Sequence, residues 1–162
     1  MLEELVLLRH AHALHPEGWQ ADAQRALSAV GQGEAMRAGE WLRGLDTPDA
    51  VLCSPAVRTR ETLAQVTAAG CPLPAARFEA DIYDASLGDL LGAIERQLAD
   101  VPDTCRLWLI GHNPGLEQLV FHLDAAAQLR ALPTAGIVVL RLDGRLPPTD
   151  PGAADVALAW AP

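Results

Sequence analysis

The stretch Leu5-Val6-Leu7-Leu8-Arg9-His10-Ala11-His12 passes from four apolar residues straight into arginine and histidine. A continuous apolar run of that length predicts a strand covered on both faces, the mark of a parallel sheet flanked by helices. Two later segments repeat the arrangement. Asp49-Ala50-Val51-Leu52-Cys53 closes at Ser54-Pro55 with Arg58 just beyond, and Arg106-Leu107-Trp108-Leu109-Ile110 closes at Gly111-His112-Asn113-Pro114-Gly115.

Helical patterns lie between these strands. One runs through Ala35, Ala38, Trp41 and Leu42, another from Val57 to about Ala69. A third repeats Leu87, Leu90, Leu91, Ile94 and Leu98 at the spacing of an amphipathic helix, and a fourth runs from about Leu116 to Leu123. Ala76 to Ile82 is expected to hold a short strand, and Gly136 to Leu142 and Asp155 to Trp160 the closing strands. Alternating strands and helices without linker or repeat predict one domain over residues 1–162: α/β, three layers, with a mostly parallel central sheet. In such sheets sites form beyond the carboxyl ends of the strands. Arg9-His10, Ser54 to Arg58 and His112 therefore converge on one rim.

The 162 residues are half apolar and 20% charged, with net charge -9 and twelve arginines standing for all the basic residues. No basic block exists to grip a phosphate backbone, so nucleic acid is excluded as the main partner. No apolar run approaches a bilayer span. The acidic start Met1 to Glu4 leads directly into a strand, so no signal peptide is expected. Cys53, Cys71 and Cys105 fit neither a disulfide framework nor a zinc knuckle, and Cys53 and Cys105 are expected as buried thiols. A cytoplasmic protein is the expectation.

Two arginines held close repel each other unless an anion lies between them, and their forked donors suit a phosphoryl group. A histidine beside them serves as nucleophile or as oxyanion partner. Arg9, His10, Arg58 and His112 thus make a phosphate pocket that needs no metal. A metal-dependent hydrolase on His10, His12 and His15 is the rival. It suffers because the second strand offers Arg58 where a carboxylate is wanted.

The same residues carry a resemblance. Leu7 to Ala13 resembles the Arg-His-Gly signature of the histidine phosphatase (phosphoglycerate mutase-like) superfamily, with Ala11 in place of glycine. Leu52 to Leu63 resembles its Ser-Pro-x-x-Arg-x-x-x-Thr segment. Ile110 to Glu117 resembles its second-histidine segment in the Gly-His-Asn-Pro-Gly form of the SixA-type phosphohistidine phosphatases, and Gly31 to Leu42 and Pro133-Thr134 are also similar to that type. The resemblance implies a phosphoglycerate mutase-like fold and a phosphatase without cofactor. His10 would be the nucleophile and Arg9, Arg58 and His112 the phosphoryl-binding groups, with Asn113 and, at the rim, His12 as further substrate contacts. The proton donor implied near Phe78 to Tyr83 is Asp81, with Glu79 and Asp84 as alternatives. His15 and His122 are expected to face solvent. The short chain leaves the site open, which suits a phosphorylated protein such as a histidine-phosphorylated signalling domain. A small-molecule phosphomonoesterase and a phosphate- or phosphohistidine-binding module without turnover are the other readings.

Overall fold

A computed structural model describes all of residues 1–162. The elements are β1 (Glu4–Arg9), α1 (Ala29–Leu42), β2 (Ala50–Cys53), α2 (Val57–Ala68), β3 (Arg77–Phe78), α3 (Leu87–Asp100), β4 (Arg106–Gly111), α4 (Gly115–Leu123), β5 (Ile137–Leu142) and β6 (Ala154–Trp160). Short 3-10 turns occupy Asp22–Gln24 and Ala80–Ile82. The six strands form one sheet in the order β3-β2-β4-β1-β5-β6. β1, β2, β3 and β4 run parallel, while β5 and β6 close one edge antiparallel.

Alternation along the strands sends side chains to two separate cores. From β1, Leu5 and Leu7 join Leu107 and Leu109 of β4 beneath Leu90 and Ile94 of α3 and Leu116, Leu119 and Leu123 of α4. Val6 and Leu8 point the other way, with Trp108, Ile110, Val51 and Cys53, against Ala35, Ala38 and Leu42 of α1 and Val66 of α2. The four apolar residues of β1 are 2% exposed or less. At roughly 1.5–3 kcal/mol each, their burial fixes this strand at the centre of the sheet. The expected three-layer α/β/α arrangement follows. No helix is long and apolar enough to cross a membrane.

The helix starts are set locally. Ser28 caps α1 by accepting from the Gly31 amide, and Ser86 with Asp89 forms a capping box on α3. Gly31 is demanded by a close approach, since a Cβ there would lie 1.9 Å from the His12 carbonyl oxygen. The chain leaving β1 thus crosses the first turn of α1 in contact, which settles the direction of the loop over the rim.

Three expectations are corrected. The strand expected over Ala76 to Ile82 is only Arg77–Phe78, after which the chain turns so that Ile82 can enter the core. Cys71, packed against α1 and α2, is the second buried thiol, whereas Cys105 is half-exposed at the start of β4. His122 is half-buried, its Nε2 2.9 Å from the Thr149 carbonyl.

Candidate active site

The parallel strands bring three segments to one edge, and each extends the ladder by one bond past its strand. The His10 amide donates to Gly111 and the Ser54 amide to Ile110, both at 3.0 Å. Because β5 runs antiparallel, its entry, Leu132 to Gly136, reaches the same edge, where the Arg9 amide donates to the Gly136 carbonyl.

His10 has a defined tautomer. Its Nδ1 lies 2.8 Å from the Ala11 carbonyl oxygen, which can only accept, so the proton sits on Nδ1 and Nε2 keeps its lone pair. Ala11 is itself anchored. Its amide donates to Thr62 Oγ1, which donates in turn to the Arg58 carbonyl one turn back in α2. Ala11 is wholly buried and is not among the residues of positive φ, so alanine meets the backbone requirement there.

His112 is fixed by the opposite logic. Its Nδ1 is 3.3 Å from Arg58 Nη2, and a guanidinium only donates, so Nδ1 accepts and Nε2 carries the proton toward Ser54 Oγ at 2.7 Å. The two imidazoles stand with ring centroids 5.1 Å apart. Burial, opposed by the Ala11 bond and aided by the Arg58 and Arg9 charges, pushes His10 down to about 4. Burial, then His10 and Arg58, pushes His112 down to about 3. Both rings are neutral at neutral pH.

Arg58 is buried and thoroughly oriented. Nη1 donates to the Asp22 carbonyl (2.9 Å), Nη2 to Asp22 Oδ2 (3.0 Å), and the guanidinium sits 5.8 Å from the Tyr83 ring centre. Tyr83 donates its hydroxyl to the same Oδ2 at 2.8 Å, and Arg25 donates to Oδ1 at 2.8 Å. Arg9 donates from Nη1 to the Leu132 carbonyl, which Asn113 Nδ2 also reaches. The buried Nε atoms of Arg9 and Arg58 have no acceptor in the protein. Orphaned charged donors of this kind are expensive unless a ligand oxygen takes them.

A cleft of about 310 Å³ opens here, walled by His10, Arg58, His112 and Asn113 and also by Asp22, Tyr83 and Asp84. Of the residues expected from sequence, these first four share the cleft and Arg9 flanks it. Two do not reach it. His12 is exposed, with Nδ1 2.8 Å from Ser28 Oγ at the start of α1. Asp81 is exposed on the 3-10 turn and pairs with Arg96 at 2.8 Å, while Glu79 pairs with Arg77. The turn after β3 instead presents Asp84, held at φ 51. Nowhere do three or more His, Cys, Asp or Glu side chains gather as a metal-holding group, and His15 is exposed. Sequence reasoning passed over Asp22 and Tyr83, which come from aperiodic loops. The available signal was that Tyr83 is the chain's one tyrosine.

The depressed histidines carry a stability consequence. Unfolded, both rings titrate near 6.5. Between pH 6.5 and about 4 the unfolded chain binds more protons than the folded one, so stability is full above this window and falls as acid is added. The loss expected is on the order of 3 kcal/mol per ring at the acid end. Urea denaturation at pH 7 and pH 4.5 checks this. A His10→Asn variant should lose less stability over that interval, and an equal loss would remove His10 from the account.

A model of the histidine phosphatase superfamily (branch 1) matches residues 5–120, most of the chain and all three site segments. The chain belongs to that superfamily. An uncharacterized protein of Mycobacterium tuberculosis is 40% identical to this chain over 157 residues, covering 91% of this chain and 94% of the relative. One of Mycobacterium leprae is 33% identical over 150 residues, covering 85% and 89%. Among solved structures, a chain from Nakamurella multipartitia, assigned as the phosphohistidine phosphatase SixA, is 29% identical with TM-score 0.81, covering 99% of this chain and 96% of its own. The protein histidine phosphatase SixA complexed with tungstate superposes with TM-score 0.81 at 21% identity over 98% and 96% of the chains, a likeness of fold. The phosphoglycerate mutase-like, SixA-type fold expected from the motifs is the fold of this chain.

Proposed function

We propose that residues 1–162 act as one histidine phosphatase domain that removes the phosphoryl group from phosphohistidine on a protein, through a phosphohistidine intermediate on His10. One observation carries the reading. The unprotonated Nε2 of a neutral His10 stands beside Arg58, whose buried Nε has no acceptor. A nucleophile with its lone pair already free needs no general base to activate it.

Attack by His10 Nε2 forms the new N–P bond as the bond to the leaving atom breaks, and the Nδ1–H retained against Ala11 spreads the resulting positive charge. Arg9 and Arg58 hold the phosphoryl oxygens and supply the positive charge that the transition state needs, which makes a metal unnecessary. A phosphoryl dianion beside His112 raises its pKa, and the proton then gained on Nδ1 replaces the bond from Arg58 Nη2, so that both groups turn their N–H to the phosphoryl oxygens. Asn113 lines the path of the leaving group. Water then attacks phosphorus, the electron pair of the P–N bond returns to Nε2, and dihydrogen phosphate leaves. The small cleft has room for a phosphoryl group and one ring, which suits a side chain presented by another protein. Three free thiols suit a reducing, cytoplasmic setting.

The deciding assay offers the purified protein a phosphohistidine-bearing protein and a small ester such as para-nitrophenyl phosphate, with and without a chelator. Faster turnover of phosphohistidine, indifferent to the chelator, is expected. Preference for small esters would favour the phosphomonoesterase reading. Binding without turnover would leave a phosphohistidine-binding module, and loss of activity to the chelator would overturn the metal-free mechanism.

A further inference from the structure

The cleft mixes charges. Arg58 and two neutral imidazoles line it together with the carboxylates of Asp22 and Asp84, and Asp22 is bonded to Arg58 directly. A carboxylate offers about four acceptor positions. At Asp22 three are taken, by Arg25 on Oδ1 and by Arg58 and Tyr83 on Oδ2. One position on Oδ1 remains, on a side chain that is 50% exposed. The Arg25 bond first, and the Tyr83 bond next, hold this carboxyl well below the usual carboxylate range, so it stays an anion and donates no proton.

A fixed anion facing a phosphate pocket weakens the hold on any phosphoryl dianion. Catalysis recovers that loss only if the leaving group is attracted to the same carboxylate. An alcohol leaving group carries no positive charge, and the acidic remainder of a phosphorylated metabolite would be repelled. The imidazole of phosphohistidine, protonated on its distal nitrogen, is cationic and carries an N–H to give.

Resting on the phosphohistidine reading above, we propose that Asp22 is a specificity residue that accepts the distal N–H of the substrate's phosphorylated imidazole and so selects phosphoramidates over phosphate esters. The transfer balances without moving a proton. The N–P bond to His10 Nε2 forms as the substrate's P–N bond breaks, and the freed pair stays on the substrate nitrogen. The substrate imidazole departs neutral with its distal N–H, while His10 becomes the phosphorylated cation. Asp22 acts by keeping the bound substrate in the protonated form from which nitrogen leaves readily. Arg25 on its own loop, Arg58 from α2, and Tyr83 and Asp84 from the turn after β3 face it, with His10 and His112 across the cleft. Both histidines titrate far below neutrality, and the Asp22 bond pushes the Tyr83 phenol up. With the phosphoryl group bound, His112 and the substrate imidazole both titrate nearer neutral pH. Because His112 does so with either substrate, a limb that moves on phosphohistidine and not on the ester belongs to the substrate imidazole.

Asp22→Asn tests this with a phosphohistidine protein and para-nitrophenyl phosphate, whose leaving group departs without a proton. On phosphohistidine kcat should fall at least about tenfold further than on the ester, and its alkaline limb should move to lower pH. Asp22→Glu, which keeps the charge, should keep the limb in place. Equal losses on both substrates with an unmoved limb would mean that Asp22 only positions Arg58, overturning the proposal. A wild-type protein that cleaves the ester and leaves phosphohistidine intact would instead overturn the function on which the proposal rests.

Discussion

Replacing His10 with alanine lowers turnover by roughly 10⁴-fold or more and abolishes covalent labelling by a phosphoryl donor. The size follows from the role. A nucleophile that forms a bond to phosphorus has no substitute within reach, because the second imidazole has its Nε2 proton committed to Ser54 and its Nδ1 to Arg58. Rapid-quench labelling followed by acid treatment reads the intermediate directly, since a phosphoramidate is lost in acid and retained in alkali. Labelling that survived in His10→Ala would move the nucleophile elsewhere and sink the mechanism.

Arg58→Ala is the second large effect, a loss of roughly 10²- to 10³-fold in kcat together with weakened binding of inorganic phosphate. Arg58 is 7% exposed and gives donors to Asp22 and to His112 as well as to the cleft. Its removal takes away a fixed positive charge and releases both neighbours at once. Arg58→Lys should recover little, because an ammonium cannot reproduce the planar fork that spans Asp22 and His112. Near-complete rescue by lysine would reduce the role of Arg58 to charge alone.

The sequence made legible what depends on continuous apolar runs. β1, β2 and β4 are buried on both faces, so their composition announces them, and the polar residue after each is placed by the sheet itself. That is why Arg9, His10, Ser54 and His112 could be placed on one rim before any geometry was known, whereas Arg58 lies in the first turn of α2 and Asn113 was named only through the family resemblance. α3 was equally plain, since Leu90 and Ile94 repeat at helical spacing above one core. β3 was not, because two exposed residues, Arg77 and Phe78, leave no periodic trace. The acid near it could not be chosen from spacing. Asp81 and Asp84 lie three residues apart on a turn, and only the burial of Ile82 between them determines which one swings toward the cleft. Asp22 belongs to a loop whose course depends on contact between the His12 carbonyl and Gly31, a tertiary fact that no local pattern contains.

The acceptor that orients His10 is a main-chain carbonyl, that of Ala11, where many catalytic histidines rely on a carboxylate side chain. A side chain can be lost to one codon change; a peptide carbonyl cannot. The identity of residue 11 is consequently free to drift among small residues without disturbing the tautomer, since the only demand on its side chain is that it fit a closed space. The protonation pattern of the proposed nucleophile is inherited from the path of the backbone, and it is the most mutation-proof part of the proposed catalytic apparatus.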